Sequence, residues 1–77
     1  MKKKLYEMKI GERGTVSELD SGYSIAERLS SLGFEVGGIV EKTMDSPLGG
    51  MSAYFILGSV IALRHCDARA VTVEDLL

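Results

Sequence analysis

Turn-forming residues cut this chain into segments too short for anything but brief strands and a single small helix. Gly14, Asp20-Ser21-Gly22, Gly33, Gly37-Gly38, the 45–50 stretch around Pro47 and Gly58-Ser59 each interrupt an apolar run. Glycine reaches conformations closed to other residues, and proline has no amide to give to a ladder. No segment between these breaks is long enough for a helical bundle, so the chain must build its interior from sheet.

Residues 15–19 hold Thr15 and Val16 between Gly14 and the Asp20-Ser21-Gly22 turn and read as a strand. Residues 5–13 mix charge with Leu5, Met8 and Ile10 and read as an entry segment packed on one side. Ser24-Ile25-Ala26-Glu27 has the form of a capping box, which predicts a helix over about residues 24–32. Ile25, Leu29 and Leu32 fall on one face of that helix, and Gly33 supplies the left-handed residue that closes it. Strands are predicted at 39–44, 51–57, 60–63 and 71–73, with a helical turn over 64–69 before the last of them. The expected architecture is mainly β: five short strands in a small, partly open barrel that limits exposed edges, plus one helix.

Taken in order, these segments resemble the FeoA family, small accessory proteins of bacterial ferrous iron uptake. The family pattern appears as Gly11-Glu12-Arg13-Gly14-Thr15-Val16, Arg28-Leu29-Ser30-Ser31-Leu32-Gly33, Gly37, Pro47-Leu48-Gly49, Ala62-Leu63-Arg64 and Asp67-Ala68-Arg69-Ala70-Val71-Thr72-Val73. Val36 stands where the family usually has proline, and Gly49-Gly50-Met51 replaces its more common Gly-Asp-Pro. The resemblance implies an SH3-like five-stranded barrel spanning residues 1–77 as one domain.

Composition narrows the function. The chain has 77 residues, and a domain of that size buries only about 60% of its unfolded surface, leaving no room for a cleft between lobes. No run approaches the roughly 20 apolar residues that cross a bilayer, since Gly58 and Ser59 interrupt the most apolar neighbourhood. Glu7, Lys9, Glu12 and Arg13 occupy the place where an export signal would need an apolar core. One cysteine suits a reducing cytoplasm. The net charge is −2; without Lys2, Lys3 and Lys4, 6 basic residues face 11 acidic ones, or −5. Such a body repels phosphate backbones, so nucleic acid is not an expected partner. The lysine run itself reads as a solvated end.

His65 and Cys66 are unique in the chain and are the candidate metal ligands, with Asp67, Asp45 or Glu35 as supplements and Met44 and Met51 as thioethers for a soft metal. Adjacent residues of a helical turn point about 100° apart, so they do not converge on one ion. Weak binding of Fe2+ or Zn2+ is the most they could offer, and no cofactor is required. The expected arrangement is a half-buried Cys66 beside a surface His65. Met44 and Met51 flank the Pro47 loop and suit packing or an adaptable interface. The loop lacks the Lys-Ser or Lys-Thr of a phosphate-binding loop, and with no separate Cys/His pair to assemble a nucleophile the chain is not expected to be an enzyme. Arg64 is expected to clamp Asp67 or Glu74, or to meet a partner carboxylate.

The family resemblance implies a non-enzymatic accessory protein that docks on the cytoplasmic, G-domain-bearing part of the FeoB-type ferrous iron transporter, and so approaches the membrane only through that partner. Leu29, Leu32, Pro47, Leu48, Gly49, Met51 and Arg64 are the expected contacts, with Gly33 and Gly37 needed structurally. The alternative is a metal-binding or iron-responsive module like the SH3-like domain of iron-dependent repressors, although such domains ride behind a winged-helix DNA reader and no basic recognition helix is evident here.

Overall fold

Period-two alternation decides which side of each segment is buried, and the computed structural model, which describes residues 1–76, follows it. Val16, Val40, Tyr54, Ile56, Val71 and Val73 point inward and are almost wholly buried, while their neighbours within the strands are more exposed. The strands are β1 (Lys2–Lys4), β2 (Arg13–Leu19), β3 (Ile39–Asp45), β4 (Met51–Ile56), β5 (Ser59–Arg64) and β6 (Val71–Asp75). They form one antiparallel sheet in the order β1-β6-β2-β3-β4-β5. Helix α1 (Ala26–Ser31) joins β2 to β3, and the single turn α2 (His65–Ala68) joins β5 to β6.

The sheet has one more strand than the five expected, because the lysine run is not a solvated end. Lys2, Lys3 and Lys4 pair with Glu74, Val73 and Thr72 of β6. Lys3 Nζ bonds Glu12 at 2.6 Å and lies 3.4 Å from Asp75. These acids are remote in sequence, so only the folded chain reveals what the lysines pair with.

Helix α1 also begins differently from the capping-box expectation. Ile25 occupies the N-cap position in right-handed helical conformation, and no side chain caps the helix. The chain enters through consecutive turns, with Tyr23 N–H donating to Asp20 O and Ala26 N–H to Tyr23 O. Ser24 therefore lies one residue before the N-cap position, and its hydroxyl makes no capping bond. The helix ends as expected. Gly33, at φ 109°, lets its N–H reach Ser30 O and the Phe34 N–H reach Leu29 O, each at 3.0 Å, the paired bonds of a Schellman cap. Leu29 and Phe34, brought together by that cap, are both fully buried, and Phe34 meets Tyr54 edge-on at 6.3 Å.

The corner after α1 is closely packed. A Cβ on Gly38 would lie 2.8 Å from Gly33 O and 3.1 Å from Glu35 O, both backbone atoms that cannot step aside. Two bulges then bend the sheet. Ser17 on β2 and Thr43 on β3 are extra residues in their ladders. Each hydroxyl donates across the strand, Ser17 to Thr72 O and Thr43 to Ala53 O, both at 3.2 Å. The β4–β5 hairpin closes through Leu57-Gly58, both at positive φ, the geometry of a two-residue turn that matches strand twist.

Gly38→Ala should therefore cost roughly 2 kcal/mol through backbone crowding, whereas Val36→Ala, at an exposed position, should stay within about 0.5 kcal/mol. Urea unfolding of the two variants beside the parent checks the contrast.

Candidate interaction site

The β3–β4 hairpin presents the Pro47 loop. Asp45 pairs with Ser52 at its base, and Gly49 N–H donates to Ser46 O at 2.9 Å. Pro47 occupies the second position of that turn, where its fixed φ is already correct. Leu48 follows at the tip and is 98% exposed. The loop is held at both ends, since Ser46 N–H donates to Met51 O at 2.9 Å and Gly50 O accepts from His65 N–H at 2.8 Å. Behind it, Met44, Pro47, Met51 and Ala53 line a shallow apolar hollow of about 210 Å³.

Beneath the loop lies a polar cluster that sequence reasoning missed. Lys42 is 4% exposed, yet it stands in β3 at the position after Val40 that alternation turns inward. Its ammonium reaches Asp45 Oδ1 at 2.7 Å and donates to Met8 O at 2.9 Å. In a regular strand, residues 42 and 45 would face opposite sides. The Thr43 bulge adds one residue to the count and brings them to the same side. Ser52 Oγ donates to Asp45 Oδ1 at 2.6 Å, so its 3.0 Å contact with His65 Nε2 leaves the imidazole as donor. The His65 ring stacks on Tyr6 with centroids 5.8 Å apart. Lys42, and secondarily the Ser52 hydroxyl, hold the Asp45 carboxyl below its ordinary pKa. The loop is thereby tied to the N-terminal segment and to α2. The signal that could have found this cluster was Lys42 at an inward period-two position.

The expected metal candidates do not assemble. His65 is part-buried and engaged with Ser52 and Tyr6, while Cys66 is the exposed member of the pair, the reverse of expectation. The start of α2 at Arg64-His65 sets this orientation, turning His65 under the loop and Cys66 away. Asp67 is bound to Arg64, with Nε to Oδ2 at 3.3 Å, so the expected clamp forms with Asp67. Among the described residues no group of three or more His, Cys, Asp or Glu is placed to hold a metal ion.

One expected contact residue needs correction. Leu29 is fully buried between α1 and the sheet, so its side chain serves the core and cannot face a partner. Leu32 is partly buried against that core. Leu48, Gly49 and Pro47 are exposed, and Met51 and Arg64 stand opposite one another on β4 and β5.

A model of the FeoA domain matches residues 3–75. No curated protein sequence matches significantly. Among solved structures, the FeoA protein from Chlorobium tepidum is 28% identical with a TM-score of 0.87, covering 97% of this chain and 71% of that one. FeoA from Stenotrophomonas maltophilia, complexed with zinc and described as a procaryotic SH3 domain protein, is 26% identical with a TM-score of 0.83, covering 94% and 89%. A manganese-dependent transcriptional repressor complexed with manganese, 21% identical with a TM-score of 0.87 over 97% of this chain and 37% of that one, shares the fold alone. Fold and neighbours together define a small SH3-like β-domain. The chain belongs to the FeoA family, which implies an accessory role in ferrous iron transport. Among the described residues no helix is long and apolar enough to cross a membrane.

The carboxylates of this scaffold make it sensitive to acid. Lys3, and after it the Lys9 amide, hold Glu12 at about 2 instead of 4.5, and Asp45 is also lowered. Groups depressed in this way stabilise the fold above their unfolded pKa and lose that contribution as pH falls through the folded value. Stability should thus be level above about pH 5 and fall toward pH 2, and Glu12→Gln should flatten the fall, as urea midpoints across that range would show. Lys42→Ala should cost about 2 kcal/mol at neutral pH, less than a fully buried pair because Asp45 is half exposed.

Proposed function

We propose that this chain is a non-enzymatic, cytoplasmic accessory protein of ferrous iron uptake that docks on the cytoplasmic, G-domain-bearing part of a FeoB-type transporter. The observation that supports this reading is Leu48, 98% exposed at the tip of a loop held from below by the ion pair of buried Lys42 with half-exposed Asp45. A large aliphatic group held out in water on a fixed backbone loses little entropy on binding and gains the full benefit of burial. Pro47, Gly49 and Met51 form the rest of the contact surface, with Leu32 and Arg64 at its margin. Binding of this kind acts by favouring one conformation of the partner over another. It draws on apolar burial and asks for no bound cofactor.

Calorimetry of the purified protein against the cytoplasmic domain of the ferrous transporter from the same organism, with and without guanine nucleotide, tests the reading. Leu48→Asp should weaken binding by about thirtyfold, the equivalent of about 2 kcal/mol for one buried leucine, and leave the unfolding midpoint unchanged. The absence of binding in every nucleotide state would remove the proposal.

A further inference from the structure

The two edges of the sheet are chemically unlike. β1 closes one edge with three lysines, charges that discourage pairing with another strand. β5 forms the other edge and reads Ser-Val-Ile-Ala-Leu-Arg, with neither proline nor charge before Arg64. The register identifies its free groups. The Leu57-Gly58 turn makes Ile56 and Ser59 a bonded pair, so Ser59, Ile61 and Leu63 bond to β4. Val60 and Ala62 then turn their N–H and C=O groups outward and Arg64, the N-cap of α2, its N–H, and none of these groups has a turn or loop backbone partner among the described residues.

Alongside this edge runs a groove of about 400 Å³, lined by Ile25, Arg28 and Leu32 on the helix side and by Ile61, Leu63 and Arg64 on the strand side. Its aliphatic side chains lie between Arg28 on one margin and Arg64 on the other, and Asp67, which also lines it, pairs with Arg64 so that Arg28 is the free charge among the described residues of the groove. Arg28 makes no ion pair among the described residues, although the chain as a whole is acidic.

We propose that this groove takes an extended segment of a partner protein as a seventh strand on β5. Three outward-facing residues two positions apart match the bonding interval of an added antiparallel strand. The aliphatic lining suits alternate aliphatic side chains, and Arg28 calls for a carboxylate on the segment. A second copy of this chain is a poorer occupant, because its β5 carries no acidic residue to meet Arg28. The inference rests on the docking reading only in taking the occupant to be a protein.

The test is a titration of the 15N-labelled protein with a blocked hexapeptide, Val-Thr-Val-Thr-Val-Glu, followed by amide shifts and hydrogen exchange. The Val60, Ala62 and Arg64 amides should shift and become protected. Arg28→Glu should weaken binding by about tenfold, the loss expected for one charge-assisted bond. Ala62→Pro removes only an outward N–H, which an edge strand tolerates, and should abolish protection at Arg64 while the β4–β5 amides stay protected. Leu48→Asp should bind the peptide as the parent does, so failure of the transporter reading and failure of this one remain separate results. Equal binding of a peptide ending in lysine would overturn the proposal, as would shifts absent from β5 at millimolar peptide. Protection of β5 that grows with protein concentration alone would overturn it in favour of a second copy.

Discussion

A lysine ammonium inside a small β-domain has few ways to be tolerated, and the answer found here organises much of the molecule. Lys42 must meet an anion and an acceptor close at hand, because an unpaired charge in the interior costs more than a domain of this size can spare. Asp45 supplies the anion and the Met8 carbonyl the acceptor. Satisfying one ammonium therefore draws the N-terminal segment against β3 and sets the base of the β3–β4 hairpin. Ser52 extends the cluster to His65, whose own amide holds the Gly50 carbonyl. The exposed loop is thus stiff from beneath, which is what a recognition element on a 77-residue scaffold needs.

The second organising constraint is steric. Between α1 and β3 the backbone folds back on itself so closely that Gly38 has no space for a side chain, while Gly33 is needed for its left-handed conformation. These two glycines serve different ends. One closes the helix and sends Phe34 inward to Tyr54; the other lets the returning chain pair with β2, where Val16 N–H donates to Gly38 O. Sequence inspection singled out Gly33 and Gly37. Gly37 does adopt positive φ, but the crowding at Gly38 arises from carbonyls three and five residues away, contacts that exist only once the corner has formed.

Most of the strand plan was legible because alternation and turn residues are local signals. Val40, Tyr54, Ile56 and Val73 declare their inward face within a few residues, and Gly58 marks its hairpin. What was not legible depends on distant partners. The lysine run becomes a strand because β6 offers Glu74 and Thr72 opposite it and Glu12 meets Lys3. Ser24 fails as a cap because the turn from Asp20 already delivers the chain in helical geometry. His65 and Cys66 exchange their expected environments because the direction of β5 into α2 decides which of two adjacent side chains lies under the loop. At the candidate site, the exposed leucine could be foreseen from Pro47-Leu48-Gly49, whereas Lys42 as its support could not, since Asp45 reaches it only through a bulge.

That bulge carries an implication for how this hairpin can vary. One additional residue at Thr43 reverses the phase of everything beyond it, so Asp45, itself half exposed, lies on the side of Lys42 and Met44 on the other. A single insertion or deletion between Lys42 and the loop would exchange those two, placing a thioether beneath the turn and a carboxylate on the outer face. Changes in the length of this arm are therefore admissible only in even steps, and the hydroxyl of Thr43, anchored to the Ala53 carbonyl, marks the parity.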